Sequence, residues 1–142
     1  VPERQLSADA PAPRILPPLT DLNRPFWTGG ANGELLIQRC AECRRWTHPP
    51  VEQCAACGGA LAPEAVQGTG TVFTYTENFQ QFHPDVPPPY LIGIVVLDEQ
   101  DDLRLPTNIV HVDPSTIECG TPVKVLFEPQ GEYFVPLFEP LR

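Results

Sequence analysis

Apolar and polar residues alternate with a period of two through much of the second half of the chain, the signature of β-strands. Residues 70–77 (GTVFTYTE) set Val72, Thr74 and Thr76 against Phe73 and Tyr75, and residues 123–128 (VKVLFE) alternate cleanly. Residues 90–97 (YLIGIVVL) are apolar almost throughout, which predicts a central strand, and Gly93 within it predicts a bulge or a close backbone approach. The acidic turn 98–102 (DEQDD) leads into 103–112, where Pro106 predicts an edge strand or two short pieces. A fifth strand is expected at residues 133–139. Five short strands in this length suit a small closed or partly closed barrel; the OB-fold has five, and strand spacing alone does not separate it from other small barrels.

The first half reads differently. Residues 20–31 form a short helix candidate, with Thr20 and Asn23 as N-caps, Pro25 in the first turn and Asn32-Gly33 as the stop. Phe26 and Trp27 are its expected core anchors. Residues 34–39 (ELLIQR) predict a strand running into a cysteine-rich region that ends at Gly59. Residues 1–18 hold five of the chain's 19 prolines and few large apolar side chains, as an extended linker does. With no methionine anywhere, this opening is expected to join the chain to an upstream domain of a longer polypeptide. The expected organisation is a proline-rich linker at 1–19, helix and ribbon at 20–67, and barrel at 68–142.

Composition narrows the possibilities. Hydrophobic residues make up 42% and charged residues 19% of the 142, a globular rather than a disordered balance. The longest apolar run is strand-sized, far short of the ~20 residues that span a bilayer as a helix. No secretory signal opens the chain, so the expected location is the cytoplasm, with no membrane partner. The net charge of −9 is uneven: residues 1–67 carry seven acids and six bases, residues 68–142 eleven acids and three bases. So acidic a barrel repels phosphate backbones, and no nucleic-acid partner is expected, although zinc ribbons and OB-folds often bind one.

The strongest motif is a pair of knuckles, Cys40-x-x-Cys43 and Cys54-x-x-Cys57. Each turn offers two thiolates, and two turns complete a tetrahedral site for zinc. Disulfides would require an oxidising compartment, and a redox C-x-x-C usually comes singly beside a βαβ unit. Iron is the other occupant that four thiolates accept. Four cysteines fill the zinc shell, so the expected role is structural, with His48 a loop residue beside Pro49-Pro50. The fifth cysteine, Cys119, reads as a small buried hydrophobe, with a thiol nucleophile as the unsupported rival.

Taken in order, Pro25-Phe26-Trp27, Gly33-Glu34-Leu35, Gln38-Arg39-Cys40, the two knuckles, residues 68–76 (GTGTVFTYT) and Cys119-Gly120-Thr121-Pro122-Val123 resemble the DUF35 family over about residues 20–140. The resemblance implies a mainly β fold: a short N-terminal helix, a rubredoxin-like four-cysteine zinc ribbon and a five-stranded OB-fold barrel. One departure is Arg44-Arg45, where the family usually has glycine after the second cysteine.

Members of this family accompany thiolase-fold enzymes and hotdog-fold enoyl-CoA hydratases. Some are fused to a MaoC-like hydratase domain, and such a domain is required by a thiolase-like aldolase in bacterial sterol side-chain degradation. The resemblance therefore implies an accessory zinc-binding domain of an aldolase acting on a β-hydroxyacyl-CoA. It also implies a thiolase-fold partner in a 2:2 assembly, an associated or fused MaoC-like hydratase, and an acyl-CoA ligand. A bridging domain that channels acyl-CoA between thiolase and hydratase is the alternative. No catalytic residue is expected in this chain: its three histidines sit in no acid–base constellation. Phe79, Phe82 and His83 in the long first hairpin loop are the candidate partner or ligand contacts, because OB-folds bind through that loop. Arg44 and Arg45, with Arg39, form the one basic cluster that could meet CoA phosphates.

Overall fold

The computed structural model describes residues 16–80 and 89–141. The helix is shorter than its sequence pattern. α1 spans Arg24–Thr28 and passes into a 3₁₀ turn at Gly29–Asn32. Thr20 and Asn23 close the preceding turn instead of capping α1: Thr20 N–H donates to Asn23 Oδ1 at 2.7 Å, and Asn23 N–H donates to Thr20 Oγ1 at 3.2 Å. Gly33, at φ +72°, ends the segment as expected. Gly30 is there for space. A Cβ on it would lie 2.5 Å from the Phe127 ring and 2.6 Å from Phe134 Cβ, so this glycine lets the helical segment lie against the barrel. Phe26 is buried, and Trp27 meets both Phe26 and Tyr133 edge-on.

The ribbon is a three-stranded antiparallel sheet in the order β2-β1-β3, from β1 (Leu35–Cys40), β2 (Trp46–Thr47) and β3 (Leu61–Val66). Leu35 and Ile37 of β1 point into the core. β3 is absent from the sequence reading. It does not alternate, and it contains Pro63, which an edge strand tolerates.

The remaining strands are β4 (Thr69–Asn78), β5 (Tyr90–Leu97), β6 (Arg104–Ile109), β7 (Pro122–Gln130) and β8 (Tyr133–Pro140). They close as β4-β5-β6-β8-β7, with β7 returning to β4 through Gly70↔Val123 and its neighbours. β6 and β8 run parallel and meet only at Ile109↔Phe138. That leaves most of β6 unpaired on one side, where Pro106 is tolerated. The bulge anticipated at Gly93 lies across the ladder: β4 carries the extra residue, Phe73, between Val72 and Thr74. Gly93 serves the other purpose, close approach, since a Cβ there would sit 2.4 Å from Ile109 Cδ1.

One core runs through both halves. Phe26, Leu35, Ile37 and Trp46 of the ribbon side join Val72, Val95, Leu105 and Phe138 of the barrel in a single cluster. Among the described residues no helix is long and apolar enough to cross a membrane.

Candidate metal centre

The end of β1 delivers Cys40 to the first knuckle, whose turn closes with Arg44 N–H donating to Cys40 C=O at 3.0 Å. The second knuckle repeats it: Gly58 N–H donates to Cys54 C=O at 2.8 Å. The equivalent residues Arg44 and Gly58 take the same left-handed conformation, at φ +66° and +76°. Arginine therefore occupies a glycine conformation in the first turn, and the departure from the family pattern changes the residue but not the geometry. Gly59 brings the knuckles together, since a Cβ on it would stand 2.8 Å from Cys40 Sγ.

All four sulfurs lie within 4.8 Å of one another, with Cys40–Cys57 at 3.4 Å and Cys43–Cys54 at 3.7 Å. A zinc tetrahedron with bonds of ~2.3 Å has edges of roughly 3.8 Å, so the set fits the ion. The N–H groups of Cys43 and Glu42 each point at Cys40 Sγ from 3.4 Å and hold its thiol down to about 6, against the opposing effect of burial. Those of Cys57 and Ala56 lower Cys54 in the same way. Gly59 N–H pulls on Cys57, but the neighbouring Cys40 and Cys43 sulfurs outweigh it and push Cys57 up to about 12. Four thiolates this close need a cation to neutralise them. With all four ligands from protein, zinc here supplies a cross-link between two turns and has no position for water.

His48 is not in this cluster. Its ring packs on Phe26 at 4.7 Å between centroids, and burial pushes its pKa down to about 4. It lines a cleft of about 160 Å³ between α1 and the ribbon sheet, together with Phe26, Leu36, Leu61 and Pro63. That is below the ~300 Å³ at which small-molecule sites begin, so this cleft cannot enclose a CoA ester.

The three arginines are engaged. Arg39 stacks on Trp46 at 4.6 Å and reaches Glu64 at 3.1 Å. Arg44 reaches the same carboxylate at 3.4 Å. Arg45 pairs with Asp102, whose carboxyl is held below its ordinary range by the Gln100 carboxamide and by Arg45 itself. Arg44 and Arg45 remain about half exposed, at 54% and 45% of their side chains. Phe79 stands exposed just past β4, while Phe82 and His83 lie outside the described residues. Cys119 is exposed, contrary to its reading as a buried hydrophobe, because Ile117 fills the core position in that loop and Gly120-Thr121 turn back to β4.

Sequence reasoning overlooked the contact between the barrel's acidic turn and the ribbon. Gln100 bonds to both backbone groups of Trp46, and Glu99 accepts from Gln67 N–H at 2.8 Å. The only signal for it is charge: four acids in the turn 98–102 and two adjacent arginines in the first knuckle.

Comparison with known proteins agrees with this architecture. Residues 27–64 match the rubredoxin-like zinc ribbon domain of ChsH2, and residues 63–128 match the ChsH2 C-terminal OB-fold domain. The chain is 37% identical over 134 residues to a "Probable enoyl-CoA hydratase alpha subunit" of Thermomonospora curvata, covering 90% of this chain and 41% of that protein. It is 28% identical over 116 residues to the "3-oxo-4,17-pregnadiene-20-carboxyl-CoA hydratase alpha subunit" of Mycobacterium tuberculosis, covering 81% and 36%. It thus spans about two fifths of the length of these curated relatives. Among solved structures, a chain of the "Ltp2-ChsH2(DUF35) aldolase" superposes with a TM-score of 0.76 at 36% identity, covering 88% of this chain and 98% of that one. A DUF35 protein of unknown function from Sulfolobus solfataricus shares the fold at a TM-score of 0.61 and 14% identity, covering 85% and 86%. The chain belongs to the DUF35 family, as a zinc ribbon and OB-fold of the ChsH2 kind.

Proposed function

We propose that this chain is the non-catalytic, zinc-stabilised component of an acyl-CoA aldolase, and that it supports a thiolase-like partner that performs the cleavage. The likeness to nearly the whole of one chain of the Ltp2-ChsH2(DUF35) aldolase carries this reading. The residues are consistent with it. The four-cysteine set leaves a metal no open position. His48 is packed against Phe26, and His111 is paired with Glu139 at 2.6 Å.

The reaction proposed is a retro-aldol cleavage of a β-hydroxyacyl-CoA in steroid side-chain degradation. A base on the partner removes the β-hydroxyl proton, and a carbonyl forms at the β-carbon as the Cα–Cβ bond breaks. The bonding pair passes to the thioester enolate, which is then protonated at Cα. This chain holds the partner's active site in shape, and contacts to the partner or to CoA fall to Phe79, Phe82, His83, Arg44 and Arg45. For the arginines, CoA phosphates compete with Glu64 and Asp102.

A second reading rests on the hydratase names of the curated relatives. In it the chain also links the aldolase to a MaoC-like hydratase and passes acyl-CoA between them. Co-expression with a thiolase-like chain from the same genome, followed by tag purification, tests the first reading. A stoichiometric complex supports it, and recovery of the two chains separately overturns it.

A further inference from the structure

The most apolar strand of the barrel is only half covered. A continuous apolar run such as β5 belongs where both faces of a sheet are buried, whereas an antiparallel strand with one open face carries polar residues outward. In β5, Leu91, Val95 and Leu97 fill the core, yet the outward positions are Ile92, Ile94 and Val96. Their neighbours across β4 add no charge: Thr76 faces Ile92 and Thr74 faces Ile94. On the other side Pro106 faces Ile94 and Arg104 faces Val96.

The bulge adds to this surface. Phe73, the extra residue of β4, is 47% exposed, and its ring lies 4.1 Å beneath the Arg104 guanidinium. Ile92 is 39% and Phe79 71% exposed. Of the five large hydrophobic side chains exposed among the described residues, these three lie on β4, on β5 or directly after β4.

We infer that the outer face of β4-β5-β6 is the surface that docks the thiolase-like chain; this rests on the aldolase-component reading above. Charge selects the occupant. Residues 68–142 carry eleven acids and three bases, so two copies brought face to face would repel. Asp98 follows Leu97 at one end of the face, and Arg104 stands over Phe73. The surface that fits is therefore an apolar patch on a different chain, with a base to meet Asp98 and an acid to meet Arg104.

The experiment measures binding of this full chain to the Ltp2 chain of the solved aldolase, by calorimetry at low and high salt. The wild type is expected to bind, and more weakly as salt rises. Ile92→Glu and Thr76→Glu should each weaken binding by about tenfold or more, with zinc content and circular dichroism unchanged. Val51→Glu, on the exposed ribbon surface, should bind as the wild type does. Undiminished binding by both face variants overturns the docking surface and leaves the aldolase reading standing. Failure of the wild type to bind overturns both. Self-association of the wild type that Ile92→Glu abolishes would show a second copy on this face and overturn the inference.

Discussion

The side-chain amide of Gln100 pairs with the backbone of Trp46 as a neighbouring strand would: its Nε2 donates to Trp46 C=O at 3.0 Å, and its Oε1 accepts from Trp46 N–H at 3.0 Å. This holds the barrel's acidic turn on the ribbon, with Arg45 and Asp102 paired beside it. Gln100→Leu strands both backbone groups next to the buried Trp46 indole. A loss of about 1–3 kcal/mol is expected in urea unfolding, with zinc content unchanged.

Metal and fold should be linked. Purified chain is expected to hold a single zinc, replaceable by cobalt(II) with the absorption of a tetrathiolate site. Cys54→Ala should lose the metal and several kcal/mol of stability, because a preformed site rarely exists in the unfolded chain. Zinc analysis together with thermal unfolding checks this. Full stability without metal would contradict a structural role.

The two knuckles form a natural comparison. Gly58 faces open space, so Gly58→Ala carries mainly the left-handed backbone cost of about 1 kcal/mol. Arg44 already bears that cost at φ +66°. Arg44→Gly is therefore expected to be neutral or slightly stabilising in chemical denaturation, the lost contact with Glu64 offsetting part of the relief.

Much of this was legible because the relevant signals are local. The knuckle spacing located the four cysteines, alternation located β4 and β7, and a continuous apolar run located β5. β3 was hidden because Pro63 and small residues at an edge imitate a loop. The short helix was overread because Thr20 and Asn23, good cap residues, are satisfied by each other one turn earlier. The clamp between Gln100 and Trp46 joins residues 54 positions apart, and no periodicity reports such a pair.

His48 gives a pH signature. Burial lowers its pKa from 6.5 to about 4, so above pH 6.5 neither the folded nor the unfolded chain holds the proton. As pH falls from 6.5 towards 4 the unfolded chain takes it up and the folded chain does not. Stability should then fall by up to about 1.4 kcal/mol per pH unit, roughly 3 kcal/mol in all, with the loss complete below the folded value. Its buried Nδ1 has no hydrogen-bond partner, so His48→Leu should fold well and lack this component. Urea midpoints of the two proteins across that range isolate it from acid release of zinc, which both share.

Dependence of one chain on another is what the proposed function stands on. A thiolase-like chain from the same genome, at fixed concentration, is titrated with this protein while cleavage of a β-hydroxyacyl-CoA is followed. Negligible cleavage by either chain alone is expected, with a rate that climbs to a plateau as the two become equimolar. A partner fully active without this chain, or cleavage by this chain alone, would contradict the accessory role.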